Sequence, residues 1–262
     1  MPNSSAGKPR NTPAASRENL FLPALSRYES YPERRPSAAE GGVSGNAARR
    51  TGNWLVSTDV GCAFLALDGV AHYYAASGDE RFRPLLFAAA ERFMRLDKTA
   101  LRMQTHAALT AGRALLVLYA ATKEKRLLEG AKRLFSLYRE KGMTLTYENF
   151  NWFGREDTWT EPCAVVDSLI LSCGLYRVTG DSAYKTAARR IWLNGLQFCQ
   201  RPNGGAGPNA CVTERQPFLK ISLYEAPFCC TMRYAEGLLC RRENADLFTE
   251  PETGGVHREG NR

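Results

Sequence analysis

The chain has 262 residues, 44% hydrophobic and 24% charged, which is enough apolar material for a sizeable core in one or two domains. Its formal net charge of +8 is spread thinly, with much of the excess in the first fifty residues. No basic stripe interleaved with aromatics appears, which argues against nucleic acid as a partner.

No apolar run approaches the roughly 18 residues that a membrane helix needs, and no basic-then-hydrophobic leader precedes the apolar cluster Leu20, Phe21 and Leu22. The expectation is a cytoplasmic protein that makes no use of a membrane. Eight cysteines in a reducing compartment are then expected to be buried, metal-bound or catalytic rather than paired in disulfides.

In chain order, residues 1–52 are rich in Pro, Ser, Ala, Gly and Arg without an apolar period, and are expected to be a disordered tail. Residues 53–242 carry apolar positions at three- and four-residue spacing almost throughout, which predicts an all-α domain. Residues 243–262 turn polar and Gly-rich and read as a second tail.

Within the helical part a repeat is visible. Tyr74, Tyr119 and Tyr176 hold equivalent places, and Asp79, Glu124 and Asp181 follow each of them at the same distance. Gly78 and Gly180 suit the left-handed residue that ends a helix, and the aspartates suit the cap of the next one. Each repeat is therefore a helical hairpin. Stacked hairpins make an open solenoid or a closed α/α toroid, and toroids carry their sites in the loops at one end.

Between the second and third hairpins lies GMTLTYENFNWFGREDTWTEPCAVVDSLILS, dense in aromatics and carboxylates and leading into a helix at Pro162. Trp152, Phe153 and Trp159 suit local packing, and beside Glu148, Glu156, Asp157 and Glu161 they equally suit a carbohydrate site. Glu161 and Cys163 stand at that helix start, while Cys229 and Cys230 precede the next expected helix. One oxygen and three sulfurs fit tetrahedral zinc; buried apolar thiols and a strained vicinal disulfide are the competing readings.

The elements TEPCA, TGDSAY, IWLNGL and EAPFCC resemble the catalytic barrel of glycoside hydrolase family 127, the β-L-arabinofuranosidase family, over residues 105–237. The resemblance implies an (α/α)6 toroid of the six-hairpin glycosidase type. It also implies a Zn2+ ion on Glu161, Cys163, Cys229 and Cys230, with Cys229 as the nucleophile of a retaining mechanism. By the same resemblance Glu148 in YENF is the acid/base, and His106 in THAAL is a substrate contact. Trp152 and Trp159 are expected to line the sugar.

Three departures bear on these expectations. Arg189 precedes WLN where the family often has a sugar-contacting glutamate, and Ala108 stands where an Asn is expected. With four helical blocks against about six hairpins in the family, the chain reads as an incomplete barrel. Two other functions follow from the same residues: a non-catalytic zinc-binding helical scaffold, and a six-hairpin sugar epimerase using His72, His106 or His257 as acid and base.

Overall fold

The computed structural model describes residues 48–51, 54–57, 61, 64–222 and 229–249. A two-stranded antiparallel ribbon, β1 (Ala48–Thr51) and β2 (Trp54–Ser57), opens the described chain. Strand β1 thus falls in the expected tail and strand β2 in the domain expected to be helical from residue 53, whose first helix begins at Ala66. Residues 1–47 of the expected N-terminal tail lie outside the described residues, as do 250–262 of the C-terminal one.

Among the described residues, those from 64 onward are built from helices and loops. The helices are α1 (Ala66–Ser77), α2 (Arg83–Arg95), α3 (Thr105–Thr122), α4 (Lys125–Lys141), α5 (Pro162–Thr179), α6 (Ser182–Arg190), α7 (Cys230–Glu243) and α8 (Ala245–Phe248). A π-helical segment, Ile191–Leu196, continues α6. This is the fold class expected from the sequence, an α/α hairpin toroid type.

The sequence repeat is a repeat of turn chemistry. Each first helix of a hairpin ends with a residue in the left-handed region, Gly78 at φ 64°, Lys123 at φ 60° and Gly180 at φ 71°. Its backbone N–H donates to the carbonyl of the tyrosine four residues earlier, Tyr74, Tyr119 or Tyr176. Asp79 then caps the 3-10 turn Glu80–Phe82 that leads into α2, and Asp181 caps α6, by accepting from the N–H groups of Arg81 and Ala183.

Helices α1, α3, α5 and α7 pack side by side in that order and form the inner layer, with α2, α4 and α6 outside. Helix α5 is the core of this arrangement, with Val165, Val166, Leu169, Leu171 and Leu175 fully buried. By length and composition it is apolar enough to cross a membrane, contrary to the expectation that no run approaches that length. Its flanks are taken by α3 and α7, so its apolarity is satisfied by packing.

Helices α3, α5 and α7 of the inner layer run parallel. Cys163 and Cys230 pair at the starts of α5 and α7, and Arg177 and Asn244 pair at their ends. Helix α3 keeps the same direction, with His106 beside Asp167 and Leu116 against Gly174. Parallel inner helices bring their N-termini, and the positive ends of their dipoles, to one end of the molecule.

Residues 243–249 do not behave as the expected tail. Leu247 of α8 is fully buried, Phe248 lies edge-on to Trp192, and Asp246 receives Arg177. One apolar residue anchors a stretch whose composition reads as polar.

Gly195 in the π-helical segment sits where a Cβ would fall 2.6 Å from the Tyr147 carbonyl oxygen. The two nearest atoms belong to the Tyr147 backbone, which cannot yield as the end of a flexible side chain can. Gly195→Ala is expected to cost about 1–3 kcal/mol, as overpacking of a filled core does, measured as a lowered urea midpoint at unchanged slope.

Candidate active site and metal-binding centre

Three parallel helices deliver the site from their first turns. Helix α3 brings His106, α5 brings Glu161 at its N-cap and Cys163 as its second residue, and α7 brings Cys229 at its N-cap and Cys230. The sulfurs of Cys163, Cys229 and Cys230 all lie within 4.8 Å of one another. His106, Glu161 and Cys163 form an overlapping group within the same limit.

The sulfur spacings test the ligand reading. Cys163 and Cys230 are 3.7 Å apart, Cys229 and Cys230 3.9 Å, and all three thiols are free, so no vicinal disulfide is formed. Metal–sulfur bonds of about 2.3 Å in a tetrahedron give an edge of about 3.8 Å, which the two spacings through Cys230 match, and Cys163 and Cys229 lie within 4.8 Å of each other.

The protons are divided unequally among the three thiols. Hydrogen bonds from Cys163 and Cys230 hold Cys229 well below the usual thiol range, and the helix start favours its thiolate as well. Cys163 is pushed up by donating to Cys229 and by burial. Cys230 accepts from Cys163 but also donates to Cys229, and ends at about 12. Cys229 is the exposed member, whereas Cys163 and Cys230 are buried.

Glu161 is held by Gln104, whose Nε2 donates to Oε2 at 3.1 Å. Asn151, with its amide nitrogen turned toward Glu161, donates to the same oxygen at 2.9 Å and accepts from Trp159 Nε1 at 3.1 Å. Burial raises the Glu161 carboxyl above its usual range, with His106 pulling the other way. The loop carrying Asn151 is fixed because Thr105 N–H donates to the Asn151 carbonyl at the start of α3.

His106 is oriented by a buried acid. Its Nδ1 lies 2.8 Å from Asp167 Oδ2, and the ring presents a nitrogen within 4.8 Å of a Glu161 oxygen and the Cys163 sulfur. Burial opposes the imidazolium, but the bond to Asp167 and the Glu161 charge outweigh it and raise the pKa.

Asp167 is itself fully buried and also takes Thr110, Arg113 and Arg233. Burial would raise its carboxyl, yet His106 and the two arginines hold it down at about 2.

Glu148 is not part of the thiol cluster. It is fully buried, and its carboxylate accepts from Thr146, Thr160 and Asn209 at 3.0, 3.2 and 2.7 Å, with the Cys199 thiol at 3.7 Å. Burial raises its pKa against those bonds. Burial, and then the Glu148 charge, raise the Cys199 thiol well above its usual range.

Trp152 corrects an expectation. At 1% exposure it has no face left for a sugar, because it packs edge-on to Trp159 at 5.4 Å with the Arg155 guanidinium over its ring. Trp159 is half-buried. His72 pairs with Asp68 on α1 while His106 pairs with Asp167, and His257 lies outside the described residues. The acid/base histidine pair of an epimerase is not assembled among the described residues.

The residues that sequence reasoning missed are Asp167, Arg113, Arg233, Gln104 and Asn151. A signal for two of them was present: Asp167 falls four residues after Cys163 inside an apolar run, and Arg233 falls four after Cys229. On a helix that spacing puts them on the ligand face, one turn deeper.

The family model described as β-L-arabinofuranosidase, GH127 catalytic domain, matches residues 34–210. That span includes His106, Glu148, Glu161 and Cys163 and stops before the cysteine pair. No curated protein matches the chain.

Among solved structures, it is similar to a GH127 β-arabinofuranosidase at 15% identity and TM-score 0.50, over 67% of this chain and 32% of that one. A glycoside hydrolase family 76 mannosidase from Bacteroides thetaiotaomicron aligns at 16% identity and TM-score 0.59, over 86% of this chain and 64% of that one. An α-1,6-mannanase of the same family from a Salegentibacter species aligns at 15% identity and TM-score 0.57, over 86% and 66%. These likenesses establish a shared fold. The chain spans about a third of the length of the GH127 structure.

Proposed function

Because the chain belongs to the β-L-arabinofuranosidase family GH127, whose catalytic-domain model matches more than half of it, we propose that it is a zinc-dependent retaining glycoside hydrolase with a thiolate nucleophile. The observation that carries this reading is the convergence of three sulfurs and one carboxylate on the N-terminal ends of parallel inner helices. The ligands are Glu161, Cys163, Cys229 and Cys230. Zinc, when bound, supplies the charge that keeps the thiols deprotonated and fixed in place.

The chain's own residues then divide the work. Cys229, the exposed thiol with the depressed pKa, attacks the anomeric carbon of a bound glycoside. The bond to the leaving oxygen breaks as that oxygen takes a proton from Glu148, whose burial favours the protonated form. Water afterwards displaces the sulfur from the sugar carbon and gives its proton back to Glu148. His106, fixed by Asp167, and the half-buried Trp159 contact the sugar. The substrate class is a glycoside, with L-arabinofuranosides the first to try.

One observation favours a second reading, a zinc-bound scaffold without turnover: Glu148 is fully buried and already has four donors. The two are separated by measuring zinc content together with hydrolysis of an aryl glycoside panel that includes β-L-arabinofuranosides. The hydrolase reading expects about one zinc per chain and turnover that Cys229→Ala abolishes. Zinc without turnover on any glycoside would establish the scaffold, and no zinc would remove both.

A further inference from the structure

The thiols of the candidate centre are not the only pair that α5 and α7 bring together. Cys163 and Cys230 are 67 positions apart in sequence and touch at 3.7 Å. Arg177 and Asn244 have the same separation, with Nε donating to Oδ1 at 3.0 Å. Cys173 and Cys240 again have this separation and fall between those two contacts. Two parallel helices in register at both ends are in register between them, so the two thiols face each other across the seam.

Both thiols also border one groove of about 340 Å³, along with Arg113, Arg177, Glu236 and Glu243. Cys173 is 2% exposed and Cys240 9%, so the groove is their approach to solvent. We propose that Cys173 and Cys240 are a redox-active dithiol that closes to a disulfide by exchange with a small anionic disulfide of the glutathione class. Arg177, 45% exposed at the groove and paired there only with the surface residues Asp246 and Asn244, is the cation that a carboxylate of such a reagent meets, and the dithiol touches none of the proposed zinc ligands.

The exchange balances with that one co-reactant. Cys240, after releasing its proton to solvent, attacks one sulfur of the small disulfide and expels the other half as a thiolate. Cys173 then loses its proton and attacks the Cys240 sulfur of the mixed disulfide, expelling the second half. The protein gives up two electrons and two protons, and the reagent leaves as two thiols.

Cys240 is the attacking member: the Asn244 amide donates to its sulfur at 3.8 Å, and the facing Cys173 thiol, with the Arg113 charge, lowers its pKa against burial. The bond would tie the inner helices together ten residues, about 15 Å, along the barrel from the candidate centre.

The test incubates the full chain with oxidised glutathione, blocks remaining thiols by alkylation, and reads intact mass and tryptic peptides. Cys240 lies in peptide 234–241, apart from Cys229 and Cys230 in 221–233, while Cys173 lies in 156–177. The expected result is loss of two hydrogens, a cross-link joining 156–177 to 234–241, and a raised Tm that a thiol reductant reverses. Cys173→Ser and Cys240→Ala should each abolish the cross-link, and Cys229→Ala should leave it. Stable glutathionylation without a cross-link, cross-links confined to Cys163, Cys229 and Cys230, or no change in mass would each overturn the proposal.

Discussion

Asp167→Ala is expected to destabilise the protein by about 3–5 kcal/mol, read as a lowered urea midpoint at unchanged slope. The acid is fully buried and receives Arg113, Arg233, Thr110 and His106, so its removal leaves two guanidinium groups beside a cavity. The arginines have other partners, which limits the loss. Arg113 also reaches Glu236 at 2.8 Å and Asp68 at 3.3 Å, and Arg233 reaches Glu236 too. Those partners are already shared, and Glu236 is a third exposed, so neither substitutes for a buried acid held from four sides. A loss below about 1 kcal/mol would show that Asp68 and Glu236 suffice to hold both arginines.

The same residue gives the stability a direction with pH. Asp167 is held at about 2 in the folded state against an ordinary 3.8, so its contribution is present above pH 3.8 and is lost as pH falls toward 2. The gap in Tm between the parent and Asp167→Ala should therefore close on the acid side of that window. His106 acts oppositely: its raised pKa contributes below 6.5 and the contribution disappears as pH rises through the folded value. Glu148 and Glu161, raised by burial, oppose folding as pH climbs above 4.5.

Much of the fold is legible because hairpin turns are local. Tyr, a left-handed residue and an acidic cap recur within eight residues, and even Lys123 takes the left-handed place that Gly78 and Gly180 hold. The thiols and Glu161 are legible for a related reason, since each sits at a helix start that the sequence marks. What is hidden depends on contacts between elements distant in sequence. Trp152 reads as a sugar platform in a loop, and only the pairing of that loop with Gln104 buries it. Leu247 looks like part of a polar tail until α8 closes on the core. Asp167 reads as a flaw in an apolar helix, because its partners come from α3 and α7.

Cys163→Ala and Glu148→Gln are expected to separate binding from chemistry. Cys163 is fully buried and supplies the sulfur beside both Cys230 and Glu161, so its loss removes a ligand from the middle of the centre. Zinc content should fall from about one per chain to near zero, and stability should fall with it, because the metal's binding free energy is folding free energy. Glu148→Gln leaves all four candidate ligands intact. The amide keeps an oxygen for Asn209, so structure and zinc content should stay near the parent. Turnover should nevertheless drop by about 10²–10⁴-fold, since an amide cannot deliver the proton that the leaving oxygen needs. Equal zinc loss in both variants would mean that Glu148 holds the centre together through Asn149, whose side chain accepts the Glu161 N–H at 2.9 Å. The acid/base role would then have to be sought in another residue.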